Sequence, residues 1–425
     1  MIYQEAVDYL NEQKSQIIRP GLEAVSGLLA LLGDPQDNMK YIHIAGTNGK
    51  GSTAAYIESI LRAAGYKTGL FTSPYIESFS EKIRFNNQIM REDILIQLTE
   101  KVKAAADRLS LRDLYPTPFE LQTAVAFLFF QMMECDIVVL ETGLGGRLDA
   151  TNVIKEAEVS VICSISYDHM DYLGNTLVEI AGEKAGIIKP HGRVVCYPQK
   201  EAAGEVIRRR CREMDSELYL LNEKDVVLVS GDRSGQIFRM GEHEPFTIHM
   251  LGGHQVYNAA LAVMAIDILN RRGYRIPEKD IACGLAQTRW QGRLEMVRED
   301  PVVIVDGAHN ADGARVLAEG LKELFPGKKI TFITGILRDK EYEKMLDQVI
   351  PMAEAFYTVT PDNPRALSAE ELAKVIEDKG VRAYACPTVK EAVGQCMKLG
   401  RDSILCAFGS LYYIGQVKKE VVTHV

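Results

Sequence analysis

Tyr41-Ile42-His43-Ile44-Ala45-Gly46-Thr47-Asn48-Gly49-Lys50-Gly51-Ser52-Thr53 runs from a mostly apolar stretch through a glycine-rich turn into a helical pattern. Glycines let backbone N–H groups wrap a phosphate. The start of a helix adds a favourable dipole, and Lys50 supplies a point charge for the outer phosphates. The run departs from the common P-loop pattern in two places. Ile44 stands where the first glycine belongs, and Gly51 follows the lysine, which displaces the hydroxyl to Ser52. A glycine-rich turn carrying a surface lysine is the plainer account. Strand, turn, lysine, hydroxyl and helix in one order favour a phosphate cradle.

Outward from this run, short β-branched stretches at residues 41–45, 67–71, 136–140, 159–166 and 193–197 alternate with helical patterns. Such alternation predicts a mostly parallel sheet covered by helices on both faces. Over residues 217–250 the texture changes to short alternating runs with turn signals at Gly231-Asp232 and Ser234-Gly235, which predicts a small antiparallel annex. Helices over 255–270 and 278–286 close this unit. After Gln291-Gly292-Arg293 the alternation restarts at 302–305, 329–333, 356–360, 381–385 and 403–407, a second doubly wound α/β domain. The expected division is 1–292 and 293–425, with a short linker near 289–297.

A chain of 425 residues is longer than one core usually supports, in keeping with two domains. Hydrophobic residues at 47% and charged residues at 25% are those of an ordinary globular protein. A formal charge of −9 without a basic stripe argues against nucleic acid as a partner, because such affinity rests on Lys and Arg neutralising phosphates. The eight cysteines are scattered without a CxxC pair and read as buried thiols in a reducing compartment. Residues 1–13 form an amphipathic helix pattern rather than a signal peptide. The most apolar helix candidate, 121–133, is short and interrupted by Gln122 and Gln131, so it predicts a core helix and no membrane partner. These features together predict a cytoplasmic protein.

Further acids sit where strands end. Residues 136–140 lead into Glu141-Thr142-Gly143-Leu144-Gly145-Gly146-Arg147-Leu148-Asp149-Ala150-Thr151-Asn152. A carboxylate at the carboxyl end of a parallel strand lies on the rim where ligands bind, so Glu141 is the magnesium candidate and Asp149 a second acid nearby. A helix-capping acid in an ordinary loop is the alternative. The run 159–166 ends in Tyr167-Asp168-His169, where His169 is either a metal or substrate ligand or, as lone histidines more often are, structural. Lys184, in Glu183-Lys184-Ala185-Gly186, reads by itself as a salt-bridged helix lysine. Farther on lie Gly252-Gly253-His254-Gln255-Val256-Tyr257-Asn258, then Gly292-Arg293, then Asp306-Gly307-Ala308-His309-Asn310. An arginine at the domain junction and an acid at a strand end suggest a nucleotide clamp, with an interdomain salt bridge as the bland account of Arg293.

Taken in order, these motifs together with Thr72-Ser73-Pro74 resemble the folylpolyglutamate synthase/dihydrofolate synthase family within the Mur ligases, over nearly the whole chain. The resemblance implies an α/β fold: a Mur-ligase-like P-loop ATPase domain with a parallel sheet, plus a smaller Rossmann-like C-terminal domain. It implies ATP-dependent addition of L-glutamate to a folate or dihydropteroate carboxylate through an acyl phosphate, by a monomer. ATP binding falls on Asn48, Gly49, Lys50, Gly51, Ser52, Asn258, Arg293 and Asp306. Mg²⁺ binding falls on Ser73, Glu141 and His169. Lys184 matches the lysine carried as a carbamate, which overturns its bland reading. The catalytic set is then Lys50, Lys184, His169 and Glu141. Substrate positions resemble Gly21, Leu22 and Glu23, then Phe119 and Glu120, then Leu148, Asp149 and Ala150. The chain departs from the family pattern at Tyr75, where His is common, and at Asn87, where Gly is common. Three other readings are a muropeptide ligase of the Mur type, a P-loop kinase or regulatory NTPase that needs no glutamate, and a nucleotide-binding module without turnover.

Overall fold

The computed structural model describes residues 1–12, 21–111 and 113–423. Its eight-stranded sheet contains β1 (Tyr41–Ala45), β2 (Thr68–Phe71), β3 (Ile83–Phe85), β4 (Gln88–Ile89), β5 (Ile137–Glu141), β6 (Val159–Ile162), β7 (Arg193–Cys196) and β8 (Glu217–Leu220). The spatial order is β4-β3-β2-β5-β1-β6-β7-β8. From β2 to β8 every pairing is parallel, and antiparallel pairing is confined to β2 with β3 and β3 with β4. β1 and β5 are buried along their whole length, as continuous apolar runs in the middle of a two-faced sheet must be. One apolar cluster gathers Val25, Phe71, Leu121, Phe127, Leu140 and Ala150, and another gathers Ala45, Ile162, Ile180, Ile187 and Val194.

A parallel sheet has all its carboxyl ends on one rim. That rim therefore carries Gly46 after β1, Thr72 after β2, Glu141 at the end of β5 and the segment after β6. Local sequence fixes how the chain leaves it. Gly49, at φ 88°, caps helix Lys50–Ala63 in a left-handed conformation that suits glycine. Thr117 and Glu120 form a reciprocal capping box at the start of helix Pro118–Met132.

The strand positions expected in both halves are present, with ends moved by up to a few residues. The annex differs from expectation at its start. Glu217–Leu220 extends the large sheet as its edge, in parallel register with β7, because helix Glu201–Glu213 makes it the second strand of a βαβ unit. The separate sheet comprises β9 (Val226–Asp232), β10 (Gly235–Met240) and β11 (Phe246–Ile248), in the order β11-β10-β9. The N-terminal helix spans Tyr3–Asn11, and residue 13 of the expected helix lies outside the described residues.

The last sheet contains β12 (Glu295–Glu299), β13 (Val302–Val305), β14 (Ile330–Thr334), β15 (Ala353–Thr358), β16 (Ala383–Ala385) and β17 (Ile404–Phe408). Its order is β12-β13-β17-β14-β15-β16, parallel except at β12. By contacts the chain divides into two compact units. One is Met1–Val227 with Arg239–Phe246 and Tyr257–Thr288; the other is Leu228–Phe238 with Thr247–Val256 and Arg289–Val425. Among the described residues no helix is long and apolar enough to cross a membrane. Cys283 is exposed; the other cysteines are buried, and all are free thiols.

Candidate active site

The turn after β1 is held from behind by the segment after β6. Thr47 donates its N–H to the Ser164 carbonyl at 2.7 Å, and its hydroxyl bonds to the Ser166 carbonyl and accepts from the Ser166 N–H, both at 3.1 Å. Asn48 reaches the Ser166 hydroxyl at 3.3 Å. A Cβ on Gly46 would lie 2.6 Å from that of Cys163, and one on Gly49 would lie 2.5 Å from Oδ1 of Asn258. The turn thus brings Asn258 against Gly49 and leaves no room for side chains at either glycine. Lys50 is half-buried and folds back to donate to the Thr47 carbonyl at 3.1 Å. Gly51 and Ser52 are buried in the first turn of the helix, whose opening N–H groups have no partner within it.

Lys184 meets the same turn from below. It lies in helix Leu177–Ala185, is 3% exposed, and donates to the Gly46 carbonyl at 2.8 Å. Burial pushes its amine down to about 7, and the charge of Lys50 pushes the same way, against Asp168, Cys163 and Asp149. Lys184 is a helix lysine, as its sequence setting predicts, but its hydrogen-bond partner is a backbone carbonyl and not the acid of a salt bridge. The acid beside it, Glu183, pairs instead with Arg147 at 2.8 Å.

Glu141 is 4% exposed and accepts the backbone N–H of Ser73 at 3.1 Å, so these two candidate magnesium ligands are neighbours. His169 follows β6 on the same rim, at φ 51°, with its N–H on Asp168 at 2.8 Å. Lys82, which the motif reading passed over, is buried beside this acid. It donates to Gln122, lies 5.7 Å from the ring centroids of both Phe79 and Phe119, and is lowered to about 8 by burial against the opposing pull of Glu141.

Asp149 is 5% exposed and fully engaged within the chain. One oxygen accepts the N–H groups of Gly143 and Leu144 at 2.8 and 2.9 Å; the other accepts the N–H and hydroxyl of Thr151 at 3.0 and 2.5 Å. Thr151 in turn meets His43 Nε2 at 2.8 Å, and burial holds that imidazole neutral, near 3. Burial raises the Asp149 carboxyl and these hydrogen bonds oppose the rise. An acid bonding its own backbone two residues on is an Asx pattern, the one local signal in the sequence that could have pointed to this network.

The other candidate substrate residues converge. Leu22, Phe119 and Ala150 pack on one apolar cluster, and Phe119 stacks on Phe71 with ring centroids 5.6 Å apart. Glu120 is committed to its capping box, with Thr117 N–H at 2.6 Å, and also takes a backbone bond from Val25 in the helix that begins at Glu23. Gly21, at φ 146°, precedes that helix, and Leu148 is exposed. In the second unit, Asp306 opens the turn after β13 and accepts the N–H groups of Leu294 and Ala308, both at 2.7 Å. Arg293 donates to the Gly292 carbonyl at 2.9 Å, with its guanidinium filling the space over Gly307. Burial raises the Asp306 carboxyl and Arg293 opposes that.

Two family models match this chain: the Mur ligase middle domain over residues 44–266, and the glutamate ligase domain of Mur ligases over 292–411. A dihydrofolate synthase/folylpolyglutamate synthase of Bacillus subtilis is 37% identical over 431 residues, covering 99% of each chain. A Mycobacterium tuberculosis folylpolyglutamate synthase complexed with ADP and AMPPCP superposes with a TM-score of 0.88 at 29% identity, covering 98% of both chains. A folylpolyglutamate synthase complexed with AMPPCP and folate gives a TM-score of 0.87 at 30% identity, over 99% of this chain and 100% of the other.

Proposed function

The chain belongs to the folylpolyglutamate synthase/dihydrofolate synthase family of Mur ligases, and from that premise we propose that it uses ATP to join L-glutamate to the carboxylate of a folate. The observation that carries this is the full-length likeness to folate ligases combined with a glycine-rich turn bearing Lys50 and a buried carboxylate on one rim of the sheet. The same likeness favours this reading over a muropeptide ligase or a glutamate-independent NTPase. The double name of the Bacillus subtilis relative supports dihydropteroate as a second acceptor. The setting we propose is the cytoplasm, and the working form a monomer.

A carboxylate is a poor acyl donor, so an amide needs a leaving group installed first. The folate carboxylate oxygen attacks the γ-phosphorus of ATP, ADP departs, and an acyl phosphate forms. The glutamate amine, after losing a proton, attacks the acyl carbon and phosphate leaves. Phosphoryl transfer is mostly a matter of positioning and charge. The Nζ of Lys50 swings from the Thr47 carbonyl to the transferring phosphoryl group, and the opening N–H groups of helix Lys50–Ala63 cradle the phosphates. Asn258 braces the turn at Gly49.

Glu141 and Ser73 fit a magnesium ion in their chemistry: a buried carboxylate beside a hydroxyl residue on the phosphate rim, with His169 third. Among the described residues no three His, Cys, Asp or Glu side chains form a metal-holding group, so phosphate and water oxygens would complete the shell. When bound, the ion neutralises charge on the phosphoryl oxygens. Lys184 fits a carbamate because burial leaves about half of its amine neutral near pH 7, where an ordinary lysine is almost wholly charged. Its lone pair attacks CO₂, a C–N bond forms and one proton is released, which places an anion beside Lys50.

The deciding experiment is glutamate incorporation measured side by side with tetrahydrofolate and with dihydropteroate. We expect ATP-dependent incorporation with tetrahydrofolate. Phosphate release that ignores both pterins and glutamate would overturn the reading.

A further inference from the structure

The first unit holds a second concavity on the opposite rim of its sheet. A cavity of about 430 Å³ is lined by Arg193, Glu217, Tyr219, Ile268, Arg271 and Arg272, within the usual range of small-molecule sites, about 300–1,000 Å³. Arg193 and Glu217 are the first residues of β7 and β8 and stand side by side in the parallel register. They therefore lie on the amino-terminal rim, whereas the phosphate cradle follows the carboxyl end of β1. Arg271 ends helix Gly253–Arg271, roughly 20 Å along the helix axis from Asn258 at about 1.5 Å per residue.

The charge pattern in this cavity is unusual for the chain. Net charge is −9, and arginines elsewhere, such as Arg147, Arg208, Arg315, Arg338 and Arg382, face carboxylates. Among the described residues Arg193 and Arg271 have no carboxylate partner. Glu217, the one acid in the lining, accepts the Tyr219 hydroxyl instead of a guanidinium. Arg271 lies over the Tyr219 ring, 5.8 Å from its centroid, and Arg272 is paired with Glu158. Ile268, 3% exposed, supplies an apolar floor. A cation at the end of a helix also complements the helix dipole. That accounts for Arg271 but not for Arg193, which starts a strand.

We propose that this cavity binds a small organic polyanion bearing at least two phosphate or carboxylate groups, one for each guanidinium that lacks a carboxylate partner, Arg271 keeping its hydrogen bond to Tyr219. Two sources share that chemistry: a phosphorylated metabolite and an oligo-γ-glutamyl chain. The test is calorimetry on the full chain with the nucleotide site saturated by AMPPCP, titrating a sugar bisphosphate and, separately, tri-γ-glutamate. One of them should bind one-to-one, more weakly as salt rises. Affinity should fall about tenfold or more in Arg193→Ala and in Arg271→Ala, and less in Arg193→Lys, because a bidentate fork is replaced by a point charge. Ligation by all three variants should match the wild type, since neither arginine belongs to the cradle. Which probe binds identifies the source. Binding of neither probe, or binding unchanged in both alanine variants, would overturn the proposal.

Discussion

In the turn after β1, Gly49 stands at φ 88° and hands the chain into a helix whose opening N–H groups have no internal partner. In the turn after β5, the N–H groups of Gly143 and Leu144 are already taken by Asp149. A Cβ on Gly146 would strike the carbonyls of Glu183 and Lys184 at 2.8 and 3.0 Å. Both turns are glycine-rich and both leave the carboxyl rim of the same sheet. The first, in the proposed function, uses glycine to turn the chain into a helix whose N-terminus faces the phosphates. The second uses it to pack backbone against backbone. Glycine content therefore does not distinguish a binding turn from a structural one; the nearest acid does, by what it hydrogen-bonds.

The largest effect that tests this contrast is loss of Lys50. Lys50→Ala should lower kcat/KM for ligation by about a thousandfold or more, since one preorganised charge on a phosphoryl group carries that order of effect. Its unfolding free energy should change by no more than about 0.5 kcal/mol, because the side chain makes one bond to a carbonyl. Wild-type turnover by a folded variant would show that the first turn is as structural as the second.

Asp149→Ala should act in the reverse way. It strands the buried N–H groups of Gly143, Leu144 and Thr151, so unfolding free energy should drop by about 3 kcal/mol in chemical denaturation. Asp149→Asn, which keeps an acceptor oxygen, should lose less. Unchanged stability with a raised KM for pterin would instead make Asp149 the substrate residue that the family resemblance implies.

The core of this arrangement was readable in the sequence because central parallel strands are uninterrupted apolar runs and strand ends mark a rim. Tyr41–Ala45 and Val302–Val305 coincide with the expected strands. What could not be read lies in long-range or burial-dependent facts. Glu217–Leu220 has the short alternating look of a hairpin strand, and only the preceding helix makes it a parallel edge. His43 and Thr151 meet across a separation of 108 residues, which no local pattern encodes. Lys184 reads by itself as a salt-bridged helix lysine, and only the fold shows it buried. The capping box of Thr117 and Glu120 follows the T-x-x-E spacing, a local pattern that the motif reading passed over, and its glutamate also fits a substrate position by resemblance.

Lys184 touches both turns, bonding the Gly46 carbonyl while its own carbonyl backs Gly146, and its protonation sharpens the contrast further. Its folded pKa is depressed from 10.5 to about 7. The unfolded chain therefore binds the extra proton between those values, and the unmodified lysine makes stability rise with pH across that window. Carbamate formation needs the neutral amine, so loading should fall as pH drops through about 7; one unit below, about a tenth of the amine remains neutral. NMR with isotope-labelled bicarbonate should show a carbamate signal that follows this titration and disappears in Lys184→Ala. A signal absent at every pH, together with full activity of Lys184→Ala, would remove the carbamate from the mechanism.

The smallest predicted effect is at Gly143, where the second turn comes closest to the proposed pterin site. A Cβ there would lie 2.6 Å from Cζ of Phe119, and Phe119 is held in place by stacking on Phe71 at 5.6 Å and by Lys82 over its ring at 5.7 Å. The φ of Gly143 is not left-handed, so Gly143→Ala brings a steric demand without backbone strain. The ring cannot move toward Phe71, which is buried, so it must tilt out of its stack. We expect KM for the pterin to rise about tenfold, equivalent to about 1.4 kcal/mol, while KM for ATP stays within about twofold. Ser at this position should behave like Ala, and Phe119→Leu, which removes the clash, should restore much of the loss in the double variant. Equal changes in the two KM values would mean that the second turn transmits its packing to the cradle, and the division of labour between the turns would fail.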